Sequence, residues 1–212
     1  MKDRNLEYLQ SLRKDTPILQ VEKMRAYAEK ENIPILEEES MELLLQVMDL
    51  VNAQHVLEIG SAIGYSALRI AASGNDRRVT TIERDADRYH QAESFLGGTC
   101  YNDDISLLYG DAFDFEKVLE EHKPYDALFI DASKGHNQAF VNTFSPMLKT
   151  GGVMVIDNVL FKGWVARPEE APPRLQPLAR KLRDFNEWLL EHPHFCTRIH
   201  PIGDGIAISI KR

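Results

Sequence analysis

Four short apolar runs, separated by intervals long enough for helices, constrain this sequence more than any other feature. They are HVLEIG (55–60), RVTTIE (78–83), YDALFIDA (125–132) and GGVMVIDN (151–158), with a weaker fifth, ISLLYGDA (105–112). The intervals 65–72, 86–96, 115–122 and 137–147 can each hold a helix. Strands that alternate with helices pair in parallel, and helices then cover both faces of the sheet. The tail FCTRIHPIGDGIAISIKR differs: it reads as two strands joined through Gly203, Asp204 and Gly205, a hairpin signal. The expected fold is therefore α/β, a parallel sheet ending in an antiparallel hairpin.

Ahead of the first run the texture is helical. Leu6, Leu9 and Leu12, then Val21, Met24, Tyr27 and Ala28, recur at helical spacing. Pro17 interrupts them and predicts two helices, and Pro34 closes the region. A further helix is expected over 38–51, with Met41, Leu44, Leu45 and Met48 on one side and an acidic start suited to a helix dipole. We read 1–50 as a helical segment and 55–212 as the core of one domain. With 43% hydrophobic and 27% charged residues, 212 residues can bury a core without disulfides. Cys100 and Cys196 form no metal-binding pattern. No apolar run would span a bilayer, and the charged N-terminus lacks the apolar core of a signal peptide. The expectation is a soluble protein of a reducing cytoplasm, with no membrane partner.

A formal charge of −8 argues against a broad, non-specific nucleic-acid binder. Locally the balance reverses. Residues 161–183 carry Lys162, Arg167, Arg174, Arg180, Lys181 and Arg183 against Glu169 and Glu170, a net of +4. This stretch is either a solvated helix face or a polyanion contact. The proline-rich part, 161–177, is expected to be an irregular loop with a lid or binding role.

The chemistry gathers at the ends of the runs. VLEIGSAIGYS (56–66) takes a strand through Glu58 and Gly60, then Gly64, into a helix near Ser66. The glycines permit a sharp turn and close ligand approach. The spacing is G-x-x-x-G, not the G-x-G-x-x-G of nicotinamide enzymes, which disfavours a nicotinamide-dependent oxidoreductase. Glu83 ends the second strand, where a carboxylate accepts from a ribose diol. Gly110-Asp111-Ala112 suits the edge of an adenine ring. Together these describe a nucleoside ligand across the carboxyl ends of the strands. Asp131 and Lys134 in IDASK, with Asp157 and Asn158 in VIDN, would meet at the same rim. Two carboxylates and an amide oxygen are hard ligands, suited to Mg²⁺ or a similar divalent ion. A lysine there serves as a base if its surroundings lower its pKa. A non-catalytic nucleoside binder would not be expected to keep all four groups.

In order and spacing, VLEIGSAIGYS, IERD, GDA, IDASK and VIDN resemble the motifs of the metal-dependent class I O-methyltransferases, the caffeoyl-CoA and catechol O-methyltransferase-like enzymes. The resemblance covers about residues 34–212. PILEEES and DNVLFKG are most similar to the branch that methylates 5-hydroxyuridine at the wobble position of bacterial tRNA. The resemblance implies a Rossmann-like, seven-stranded, mostly parallel sheet with the last strand antiparallel, usually in a homodimer. It implies S-adenosylmethionine as methyl donor, held by the Leu36 backbone, Glu58, Gly60, Ser66, Glu83, Asp111 and Asp131. It implies a metal on Asp131, Asp157 and Asn158, and Lys134 as base, with Asp131 also catalytic. The sequence departs from plant members at IDASK, where Asn137 stands near a usual aromatic position. The acceptor is expected to present two adjacent oxygens, as 5-hydroxyuridine does in tRNA and as a small catechol does. The basic 161–183 stretch would meet RNA phosphates; for a phenolic substrate, Phe161 and Trp164 would wall the ring.

Overall fold

The computed structural model describes residues 18–212, together with residues 4, 8, 11 and 12. Leu6, Leu9 and the break at Pro17 lie outside the described residues; residues 4, 8, 11 and 12 are helical, and Leu12 is exposed. Helix α1 (Leu19–Glu31) buries Val21, Met24 and Ala28, and Asn32 ends it in the left-handed conformation at φ 53°. Helix α2 (Glu38–Leu50) starts with Glu38 and Glu39 at the positive end of its dipole and buries Met41, Leu44, Val47 and Met48.

The core then alternates strand and helix: β1 (His55–Ile59), α3 (Tyr65–Ser73), β2 (Arg78–Glu83), α4 (Ala86–Leu96), β3 (Ile105–Tyr109), α5 (Glu116–Glu121), β4 (Tyr125–Ile130), α6 (Asn137–Phe144) and β5 (Leu148–Ile156). Helix α7 (Gln176–Glu191) and the hairpin β6 (Phe195–His200) and β7 (Ile206–Lys211) complete it. The seven strands form one sheet in the order β3-β2-β1-β4-β5-β7-β6. Pairings from β3 through β5 are parallel, while β7 runs antiparallel to both β5 and β6. The last strand is thus the antiparallel one, inserted between β5 and β6.

Strand alternation sorts the core into two faces. Val56, Ala127, Phe129, Val153 and Val155 pack with residues of α1, α2 and α3. Their neighbours Leu57, Leu128, Ile130, Met154 and Ile156 pack on the other face with Phe140, Phe144, Phe185 and Leu189. Both faces are apolar, so the central strands read as continuous hydrophobic runs. Each fully buried valine, leucine, isoleucine, methionine or phenylalanine among them contributes about 1.5–3 kcal/mol.

Among the boundaries that differ from the sequence reading, three have a plain physical cause. β5 begins at Leu148, ahead of the apolar run, because Leu148 pairs with Tyr125 across a register shift. α6 stops at Phe144, and Pro146 turns residues 145–147 into a 3₁₀ turn. The irregular stretch ends at Leu175, since Pro177 sits in the first turn of α7, where proline is tolerated. Both cysteines are free, and no helix among the described residues is long and apolar enough to cross a membrane.

Candidate functional site

Strand order reverses between β1 and β4, the point at which helices leave the sheet to opposite faces. Open α/β sheets bind ligands in the crevice at the carboxyl ends of the strands there. A cavity of about 620 Å³ fills that crevice. Its wall comes from all four central strand ends and from Pro34 and Ile35, which precede α2.

Hydrogen bonds run one residue past the strand ends and hold the rim in a row. Gly60 and Ser61 donate their N–H groups to Ile82 O at 3.0 and 3.2 Å. Asp131 N donates to Ile59 O at 3.0 Å, Asp157 N to Ile130 O at 3.1 Å, and Gly110 N to Glu83 O at 2.9 Å. Gly60 has φ +97°, and a Cβ there would strike the Asp131 carbonyl. Only glycine lets the β1 turn lie against the end of β4.

One end of the cavity carries Glu83 and Asp111. Glu83 is buried, its Oε2 accepting from Ala62 N and its Oε1 from Asp85 N, both at 2.8 Å. Each oxygen keeps a lone pair for a diol. Asp111 is exposed, its Oδ1 accepting from Phe113 N at 3.1 Å.

The other end carries Asp131, Lys134, Asp157 and Asn158. Burial holds the Asp131 carboxyl above its ordinary range; Lys134 opposes that shift and Glu83 adds to it. Burial, and then the charge of Asp131, does the same to Asp157. Asn158 takes the left-handed conformation at φ 62° and donates its Nδ2 to Asp157 Oδ2 at 2.6 Å. That leaves the amide oxygen as the atom available to a cation. Asp157 Oδ1 is buried with no hydrogen-bond partner among the described residues. Two carboxylates that repel, an orphaned oxygen and a free amide oxygen fit a hard divalent ion, whose charge would relieve the repulsion. No group of three histidine, cysteine or acidic side chains forms a metal cluster among the described residues.

The structure therefore brings together Gly60, Glu83, Asp111, Asp131, Lys134, Asp157 and Asn158. Leu36, Glu58 and Ser66 do not line the cavity. Leu36 is buried in the core beside Pro34 and Ile35. Glu58 lies wholly inside, accepting from the Thr81 hydroxyl, while its Oε1 has no hydrogen-bond partner among the described residues. Burial pushes Glu58 up to about 7, against the Ser66 and Thr81 hydroxyls that hold it down.

Other wall residues escaped the sequence reading. Phe113 and Phe140 stack at 5.1 Å with an interplanar angle of 5°, and His136 stands edge-on to Phe140. Arg84 and Arg88 also line the wall. Arg84 adjoins Glu83, and Arg88 follows at helical spacing on α4, which was the available signal. Phe161 and Trp164 do not line the cavity. Phe161 is buried with Val165, Ala179 and Leu182 under a partly buried Trp164, although Lys134 Nζ lies 5.8 Å from its ring centre. The β6–β7 turn fixes this segment: Leu160 and Phe161 N–H groups both donate to Asp204 O. In the basic stretch, Arg167 pairs with Glu170 and Arg183 with Glu187. Arg174, Arg180 and Lys181 are exposed and make no ion pair among the described residues.

Comparison with known proteins identifies the family. A family model described as O-methyltransferase matches residues 3–212. A caffeoyl-CoA O-methyltransferase from Medicago sativa is 30% identical over 186 residues, which is 84% of this chain and 74% of that one. A crystal structure from Staphylococcus aureus, described as a candidate caffeoyl-CoA O-methyltransferase, superimposes with a TM-score of 0.91 at 33% identity, over 99% of this chain and 100% of that one. An O-methyltransferase from Bacillus cereus in complex with SAH shares the fold, with a TM-score of 0.84 at 23% identity over 97% and 96% of the two chains.

Proposed function

The chain belongs to the O-methyltransferase family, and from that premise we propose that it moves a methyl group from S-adenosylmethionine to a small phenolic acceptor with two adjacent oxygens, aided by a divalent cation. The observation that carries this reading is the orphaned, buried Oδ1 of Asp157 beside Asp131 and Lys134. It sits at the far end of a cavity whose other end, Glu83 and Asp111, suits a nucleoside. The names of the relatives favour a caffeoyl-type phenol.

Asp131, Asp157 and the amide oxygen of Asn158 would hold the cation, Mg²⁺ or a similar ion. When bound, the donor supplies an electrophilic methyl group and the cation lowers the pKa of the acceptor hydroxyl. Lys134 would take the proton from that hydroxyl. Glu83 would accept from the ribose diol, and Asp111 would meet the adenine edge. Gly60 would complete the donor site, with Glu58 and Ser66 supporting it from beneath. Phe113 and Phe140 keep water from one wall.

A second acceptor reading, 5-hydroxyuridine in tRNA, is supported by the exposed Arg174, Arg180 and Lys181. The same two-oxygen geometry would serve that base, and those side chains would meet phosphates. Labelled S-adenosylmethionine with Mg²⁺, offered to caffeate and to tRNA bearing 5-hydroxyuridine, separates the two. Label entering caffeate supports the phenolic reading. Label entering tRNA alone, with loss of salt dependence in the Arg174→Ala, Arg180→Ala, Lys181→Ala variant, replaces it with the RNA reading. Label entering neither refutes both acceptors.

A further inference from the structure

The cavity wall contributed by Pro34 and Ile35 belongs to the short strap between α1 and α2. That strap joins the two helices, and its Leu36 is buried in the core they share with the sheet. Both helices converge, with α3, on one buried phenol. Tyr65 is 2% exposed and immediately follows Gly64, at the end of the turn that supplies Gly60 and Ala62 to the cavity. Arg25 of α1 donates to its hydroxyl oxygen through Nε and Nη2, at 3.1 and 3.0 Å. Arg69 of α3 donates to the same oxygen at 3.0 Å. The Tyr65 hydroxyl donates to Glu38 Oε2 of α2 at 3.3 Å. Glu38 also pairs with Arg25 and Arg69, and Arg69 pairs with Glu42 at 2.7 Å. The two guanidinium groups stand 5.7 and 5.9 Å from the Tyr65 ring centre.

Neighbouring apolar contacts alone would let α1 and α2 slide over α3, because such contacts are non-directional. Charge-assisted hydrogen bonds fix distance and angle. We propose that Tyr65 is a positioning residue for the methyl-donor site: its hydroxyl sets the 34–35 strap against the Gly60–Ala62 turn, so that the wall is preformed before the donor arrives. The inference rests on the donor-site reading above and extends it to a residue that lines no part of the cavity. Preformed walls raise affinity by removing an ordering cost from binding.

Tyr65→Phe removes the oxygen and keeps the packing ring. The dissociation constant for S-adenosylhomocysteine, measured by calorimetry, is expected to rise about tenfold, because binding must then order a wall that is no longer preformed. KM for the donor should rise by the same factor with kcat nearly unchanged. In the ligand-free protein, amide hydrogen exchange in 33–37 should accelerate. Arg25→Met, on a partly exposed side chain, should act in the same direction. Arg77→Gln is the stability control. It removes a buried network to Asp49, Ala53 and Ser73 away from the cavity, and should lower the melting temperature without changing the dissociation constant. Donor affinity within twofold of wild type in Tyr65→Phe, whatever the exchange data show, overturns the positioning role. A wild-type protein that binds no S-adenosylhomocysteine refutes the donor-site reading instead, and 33–37 exchange in Tyr65→Phe still reports whether the phenol holds the strap.

Discussion

Replacing Gly60 by alanine joins two costs at one atom. With φ at +97°, position 60 lies where an L-residue is strained by about 1–2 kcal/mol. The added Cβ would also strike the Asp131 carbonyl oxygen, lie 2.9 Å from its carbon and 3.2 Å from Ala132 Cα. Those are backbone atoms, so relief requires the ends of β1 and β4 to part, at an overpacking cost of about 1–3 kcal/mol. The total is about 3 kcal/mol, equivalent to a melting-temperature drop of about 6–12 °C for a domain of this size. Function should suffer more than stability, because the shift moves Asp131, which belongs to both proposed subsites. Gly98→Ala is the matched control: nothing lies within 4 Å of its Cβ position and its φ is not in the positive range. Differential scanning calorimetry and titration with S-adenosylhomocysteine test both parts. A Gly60→Ala protein that melts within 2 °C of Gly98→Ala and binds with wild-type affinity refutes the close-approach reasoning.

Further outcomes follow from single buried groups. Glu58 has its folded pKa raised from 4.5 to about 7, so the folded state holds a proton that the unfolded state has lost. Its stabilising share is complete below about 4.5 and is lost as pH rises towards 7, by about 3 kcal/mol. Glu58→Gln should flatten that decline in urea unfolding between pH 4.5 and 7.5; an unchanged slope would contradict the burial argument. Lys211 Nζ donates to the carbonyls of Ser145, Pro146 and Leu148 at 2.9, 3.1 and 2.7 Å. Lys211→Met should cost about 1–3 kcal/mol by removing these charge-assisted hydrogen bonds, with donor affinity unchanged; a loss below about 0.5 kcal/mol would show that solvent replaces the ammonium fully. Mg²⁺ should raise the melting temperature of wild-type protein and not that of Asp157→Ala, and an equal rise in both would place cation binding elsewhere.

The parallel sheet was legible because its strands are buried on both faces and end abruptly in Gly60, Glu83, Asp131 and Asp157. These residues punctuate the sequence as clearly as the apolar runs do. β3 read weakly because, as an edge strand, it leaves Ser106 and Tyr109 exposed. Helix α7 was obscured by its charges. Ala179, Leu182, Phe185, Asn186 and Leu189 carry a helical stripe, but Arg180, Lys181 and Arg183 between them drew attention to the solvent face. Within the site, the strand-end residues singled out in the sequence line the cavity, and Glu58, further back in its strand, does not. Glu58 and Glu83 look alike in sequence, yet Glu58 stops two residues short of the β1 turn and opposes Thr81 in the sheet. Phe113, Phe140 and His136 come from the turn after β3, from α6 and from the turn before it, and their meeting depends on how those pieces pack, which no local spacing encodes. Phe161 and Trp164 were plausible wall residues by composition, but the Asp204 anchor turns Phe161 inward against α7.

A cation held by Asp131, Asp157 and Asn158 should be required for methyl transfer. The direct measurement is transfer of labelled methyl from S-adenosylmethionine to caffeate as Mg²⁺ is titrated into chelator-treated protein, with Asp157→Ala alongside. Transfer that rises with Mg²⁺, saturates, and falls by at least about 100-fold in Asp157→Ala is the expected result. Transfer that proceeds at full rate in chelator, or that Asp157→Ala leaves intact, would contradict the metal-assisted reading.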